Sequence, residues 1–148
     1  MKRILIAAFV VLIFFNGCQS EMLSEKKPLP VNQTQSDIER IELMYSDKAD
    51  DWLKDKTVAA VLTGYEAEIL WDELQEMGVK HYHNPSPHYF GKLAISIYYK
   101  DGNYDVLGTE MCGYYCEDLL YPKSYYYLDN EETRELFSRY MDVNLLPE

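Results

Sequence analysis

The sequence predicts an α+β domain: an antiparallel sheet with two helices on one face, a two-layer arrangement in the order β-β-α-β-β-β-α. Three observations predict it. Apolar residues recur at three- and four-residue spacing after helix-start signals at Thr63 and Asp129. Residues 93–99 alternate in side-chain character with period two and run into Asp101-Gly102, a tight-turn signal. The connections between neighbouring elements are short, and short connections join antiparallel strands.

Taken in order, Ile41, Leu43 and Tyr45 fall on one side of a strand over 38–45, with Arg40 and Glu42 on the other. Residues 46–56 are charged and read as a loop whose Trp52-Leu53 folds back onto the core. Val58 to Leu62 is a short apolar run suited to a buried strand. Thr63 and Glu66 form a T-x-x-E capping box, and Ala67, Leu70, Trp71, Leu74 and Met77 make the stripe of the helix that follows. Gly78 stands where a left-handed cap ends it. After a loop over 81–87 comes a hairpin, with Leu93, Ile95, Ile97 and Tyr99 on one face and a return strand over 104–111. Ser124 to Leu128, rich in Tyr, reads as a further strand. Asp129 and Glu132 start the second helix, whose stripe is Thr133, Leu136, Phe137, Tyr140 and Met141.

The chain has 148 residues, 47% of them apolar and 26% charged, which fits one compact domain, here 37–146, and excludes a disordered chain. Its formal net charge of -11 argues against nucleic acid as a partner, because phosphate binding needs clustered Lys and Arg.

Met1-Lys2-Arg3 followed by an apolar run from Ile4 to Phe15 reads as a secretory signal. A helix of that run spans about 18 Å, short of a hydrocarbon core of about 30 Å. The run ends in Gly17-Cys18-Gln19, which resembles the lipobox of bacterial lipoproteins. The resemblance covers only the surroundings of Cys18. It implies cleavage after residue 17 and acylation of Cys18, with the product held at the extracytoplasmic face of the cell membrane, or at the outer membrane in a cell that has two. Losing Lys2 and Arg3 with residues 1–17 moves the net charge from -11 to -13. Residues 18–36 are polar, with Pro28 and Pro30, and read as a flexible tether.

Candidate chemistry within the domain is sparse. His81, His83 and His88 fall in one short segment, and three neutral imidazoles suit Zn²⁺ or Cu²⁺; the sequence suggests no other cofactor. Cys112 and Cys116 are the two thiols left once Cys18 is acylated, and an exported chain can bridge them if Gly113 lets the backbone turn. Tyr residues crowd the second half of the chain. With helices on one sheet face, alternation sends some of them to the other, where Tyr98 with Tyr126, or with Tyr125 and Tyr127, makes an amphipathic aromatic surface. The competing reading is that cross-strand Tyr pairs serve sheet stability alone. H-E-x-x-H, G-x-S-x-G, P-loop and Rossmann patterns are absent from the sequence. The expectation is a non-catalytic binding module of the cell envelope, with an unidentified envelope protein or ligand as partner. A metal-binding envelope protein and a cell-wall or glycan hydrolase are the alternatives.

Overall fold

The computed structural model describes residues 25–48, 56–83 and 89–147. The signal segment, Cys18, Trp52-Leu53 and His88 lie outside them. The strands are β1 (Ile38–Tyr45), β2 (Thr57–Thr63), β3 (Lys80–His81), β4 (Leu93–Tyr99), β5 (Tyr104–Gly108), β6 (Cys112–Cys116), β7 (Leu119–Lys123) and β8 (Tyr126–Tyr127). The helices are α1 (Gly64–Met77) and α2 (Asn130–Ser138). Six strands form one antiparallel sheet in the order β2-β1-β4-β5-β6-β7, while β3 and β8 pair separately. The fold is α+β, as the pattern predicts. Among the described residues no helix is long and apolar enough to cross a membrane.

Both helices bury apolar residues in the same core, although α2 ends at Ser138, so of its predicted stripe Thr133, Leu136 and Phe137 are buried in the helix while Tyr140 lies past its end and is exposed. Ala67, Leu70, Trp71 and Leu74 of α1 join Leu136 and Phe137 of α2 against Ile41, Leu43, Ile95, Ile97 and Leu107 of the sheet. The sheet's opposite face carries a smaller core of Met44, Phe90, Ala94, Val106, Met111 and Tyr115. Asp129 caps α2 as expected, accepting from the Glu132 N–H at 3.0 Å. Gly78 caps α1 at φ 62°, and its N–H donates to the Leu74 carbonyl.

Four expectations need correction. The capping box at Thr63 and Glu66 does not form: Thr63 ends β2, paired with Arg40, and the chain enters α1 through Gly64 at φ 53° without a side-chain cap.

The tether over 18–36 is not free in its described part. Lys27 exchanges two backbone hydrogen bonds with Val79, at 2.8 and 2.9 Å, and Leu29 is buried in the helix-side core with Val31 packed against it. The helices pack toward the other end of the sheet, α1 over β1 and β2 and α2 over β4, which leaves the β5–β6 side to be covered. Residues 27–36 fill that lane as a strap.

The third correction concerns residues 112–123, which add a hairpin of β6 and β7. Its turn is Glu117-Asp118, at φ 49° and 62°, a conformation for which Asn and Gly are the usual signals. The expected bridge between Cys112 and Cys116 is therefore not made, and both thiols are free. They end one extended strand, where residues four apart lie about 13 Å apart against the ~4.4–6.8 Å a disulfide spans. The backbone turns one residue too late.

Finally, the strand expected over 124–128 is reduced to β8, which pairs with β3 outside the main sheet.

Candidate functional site

Register brings one residue from each of the six strands into a line on the face away from the helices. Thr63, Arg40, Tyr98, Tyr104, Tyr115 and Leu120 sit opposite one another in sequence from β2 to β7. Strand spacing and ring stacking then coincide. Tyr98 stacks on Tyr104 with centroids 4.8 Å apart, and Tyr104 on Tyr115 at 4.6 Å. The Arg40 guanidinium lies 3.8 Å over the Tyr98 ring and is held there by Glu42, which accepts from its Nε at 2.7 Å. Each such aromatic pair contributes about 0.5–1.5 kcal/mol beyond its buried area.

Rings stacked across strands stand on edge. Their faces are covered by one another; Tyr98 and Tyr104 are half-buried and Tyr115 is buried. Burial pushes the Tyr104 hydroxyl up to about 12, with Tyr115 and Tyr98 adding to it. Burial and the Glu42 carboxylate also raise Tyr98, against the opposing pull of Arg40. The Tyr98 and Tyr104 hydroxyls are thus neutral at ordinary pH and able both to donate and to accept. Beyond it, Val61 on β2 is 53% exposed and Leu120 on β7 is 38% exposed, giving the row an apolar rim. Phe90 closes the rest of this face by sitting on Gly113, where an added Cβ would lie only 3.0 Å from its ring.

The expected Tyr surface is split. Tyr98 belongs to the row, but Tyr126 packs against the helix-side core, Tyr125 stacks on His81 at 5.6 Å, and Tyr127 stacks on Tyr82 at 4.2 Å. The surface of Tyr98 with Tyr125, Tyr126 or Tyr127 does not form, because β8 lies outside the main sheet. Sequence reasoning missed Arg40, Tyr104 and Tyr115. The Asp101-Gly102 turn already sets Tyr98 opposite Tyr104; nothing comparable marks the turn that sets Tyr104 opposite Tyr115.

His81 and His83 lie with ring centroids 6.3 Å apart, and Tyr125 and Tyr126 flank His81. Among the described residues no three His, Cys, Asp or Glu side chains come together to hold a metal ion. Acids do gather between the helices, where a cavity of about 250 Å³ is lined by Glu73, Glu132, Glu135, Met77, Leu136 and Arg139. There Glu73 pairs with Arg139 at 2.5 Å, and Glu132 with Lys26 at 2.6 Å.

Among the described residues one carboxylate is fully buried, that of Asp105 on the helix side of β5. Asn32 donates to it from backbone and side chain, each at 2.9 Å, Tyr99 donates at 2.6 Å, and Lys123 at 3.0 Å. Lys123 also donates to the Pro30 carbonyl. Burial first, and then the Asp105 charge, pushes the Tyr99 hydroxyl far above its ordinary range. With four donors Asp105 has no capacity left for a substrate. It clamps the strap to the sheet.

No family model, no curated protein and no solved structure matches this chain.

Proposed function

We propose that the chain is a lipid-anchored, extracytoplasmic binding module of the cell envelope that recognises a partner protein through the row Arg40–Tyr98–Tyr104–Tyr115. Cys18 carries the acyl chains, and the folded domain carries recognition rather than catalysis. The observation that supports this reading is the row itself: stacked Tyr rings and an Arg in a line across the sheet face away from the helices, half-buried from Arg40 to Tyr104, with an exposed apolar rim. Tyr and Arg are enriched where proteins meet, since they combine large contact area with directional hydrogen bonds. A sugar ring would need a free aromatic face, and stacking at 4.6–4.8 Å leaves none between neighbours. The acidic balance favours encounter with a basic partner.

The test is a photo-crosslinking residue in place of Leu120, at the rim of the row, in the full-length chain in cells. A discrete protein adduct is expected, and Arg40→Glu combined with Tyr104→Ser should abolish it while circular dichroism stays unchanged. An adduct that survives both substitutions refutes the row as the recognition surface.

A further inference from the structure

The sheet ends at β7, and among the described residues no strand lies beyond it. The residues that open β7 are apolar and uncovered: Leu119 is 60% exposed, Leu120 38% and Tyr121 52%. Alternation puts Leu120 at the end of the Tyr row and sends Leu119 and Tyr121 to the opposite face, where Tyr121 leans on Tyr114 with centroids 6.4 Å apart. At the other edge a bulge interrupts β2 beside Leu43 and Met44, which twists that edge away from a straight neighbour. The register of β7 on β6 is unbroken.

Hydrogen-bond phase decides which backbone groups of β7 are left over. The Gly108 N–H donates to the Met111 carbonyl at the β5–β6 turn, so these two residues point at each other. Successive residues of an antiparallel strand turn their N–H and C=O to alternate sides. Gly113 and Tyr115 therefore bond toward β5, and Cys112, Tyr114 and Cys116 bond toward Lys123, Tyr121 and Leu119. Leu120 and Pro122 are left pointing out of the sheet. Pro122 agrees with this phase, because proline fits an edge strand where its missing N–H would face outward. The edge thus offers the Leu120 N–H and the carbonyls of Leu120 and Pro122. Since Pro122 has no donor, the outward donor within β7 is that of Leu120, which fixes the register of anything that pairs there.

We propose that the partner protein adds an extended segment to β7 as a further strand of the sheet, hydrogen-bonded at Leu120, with a short apolar run against Leu119, Leu120 and Tyr121 and a Lys or Arg beside the turn. The inference rests on the reading that a partner protein binds this chain, and it names the mode of that binding. Charge selects the occupant. Glu117 and Asp118 stand exposed at the turn that opens β7, whereas Lys123 at its far end is turned to Asp105 and the Pro30 carbonyl. The exposed end of the edge is therefore negative and suits a basic strand. Two copies of this chain, each at -11, repel instead. In strand addition main-chain hydrogen bonds supply the affinity, and the side chains on either face supply the specificity.

The experiment is photo-crosslinking from benzoylphenylalanine in place of Leu119, in the full-length chain in cells. A discrete adduct to another protein is expected. Leu120→Pro removes the outward N–H and no hydrogen bond of the sheet, so it should cut the adduct at least about tenfold, while Leu120→Ala keeps the donor and should cut it about threefold or less. Should Leu120→Pro lower the urea midpoint, Glu117→Asn with Asp118→Gly keeps the turn, removes both acids and should cut the adduct about threefold. No adduct, an adduct at twice the mass of the chain, equal losses from Leu120→Pro and Leu120→Ala, or an adduct that every variant leaves undiminished overturns strand addition. Arg40→Glu with Tyr104→Ser separates this mode from the row: an adduct lost to that pair but not to Leu120→Pro keeps the row and overturns the strand, and one lost to Leu120→Pro but not to the pair keeps the strand and overturns the row.

Discussion

Replacing Asp105 by Asn tests whether the strap is an integral part of the domain. The carboxylate is fully buried and accepts from Asn32 twice, from Tyr99 and from Lys123. Asn keeps the shape but removes the charge. It leaves the Lys123 ammonium without its ion pair and turns an amide NH₂ toward one of the former donors. Breaking a buried pair from one side costs about 3–5 kcal/mol. For a domain of this size that is a fall of roughly 12–25 °C in Tm. Asp105→Asn with Lys123→Met should recover part of the loss, since neither charge then stays unpaired. Hydrogen exchange separates local from global effects. The Lys27 amide, donated to Val79, and the Asn32 amide, donated to Asp105, should exchange about 100-fold faster, and the β4–β5 ladder less so. A loss below about 1 kcal/mol with strap amides still protected would refute the clamp.

Two further outcomes follow from the β6–β7 hairpin. Glu117→Asn with Asp118→Gly suits the left-handed turn at φ 49° and 62° and should stabilise the domain by about 1–2 kcal/mol in urea titration; no gain would mean that the turn is not strained. Burial pushes the Cys112 thiol up to about 12, whereas Cys116 is partly exposed, so iodoacetamide at pH 8 should modify Cys116 in the folded chain and Cys112 only on unfolding. Peptide mass mapping checks this, and equal rates at the two thiols would contradict the burial.

Signals local to a few residues were the ones that could be read. The α1 stripe, the Gly78 cap, the Asp129 cap and the Asp101-Gly102 turn depend only on spacing within a turn or two, and each is where the sequence puts it. What failed to show depends on partners far along the chain. Pro28 to Ser36 has no period and reads as tether, yet the polarity of Asn32 is consumed by Asp105, 73 residues away. Glu117-Asp118 turns without Asn or Gly, so the hairpin around it, and the bridge it rules out, left no local mark.

The same distinction decides what the Tyr row means. A row that existed for stability alone would gain most by being covered, as Phe90 covers the neighbouring half of the same face over Gly113 and Val106. Here Phe90 covers the row's Tyr115 end, while Arg40, Tyr98 and Tyr104 stay half-buried. That half-buried end holds the residues that combine ring area with hydrogen-bonding tips, and Arg40 is fixed by Glu42 rather than left to wander. A side chain already ordered loses little entropy when a partner arrives. Stacking therefore does not compete with recognition on this face: by ordering the row in advance, the contacts that stabilise the sheet also lower the cost of binding to it.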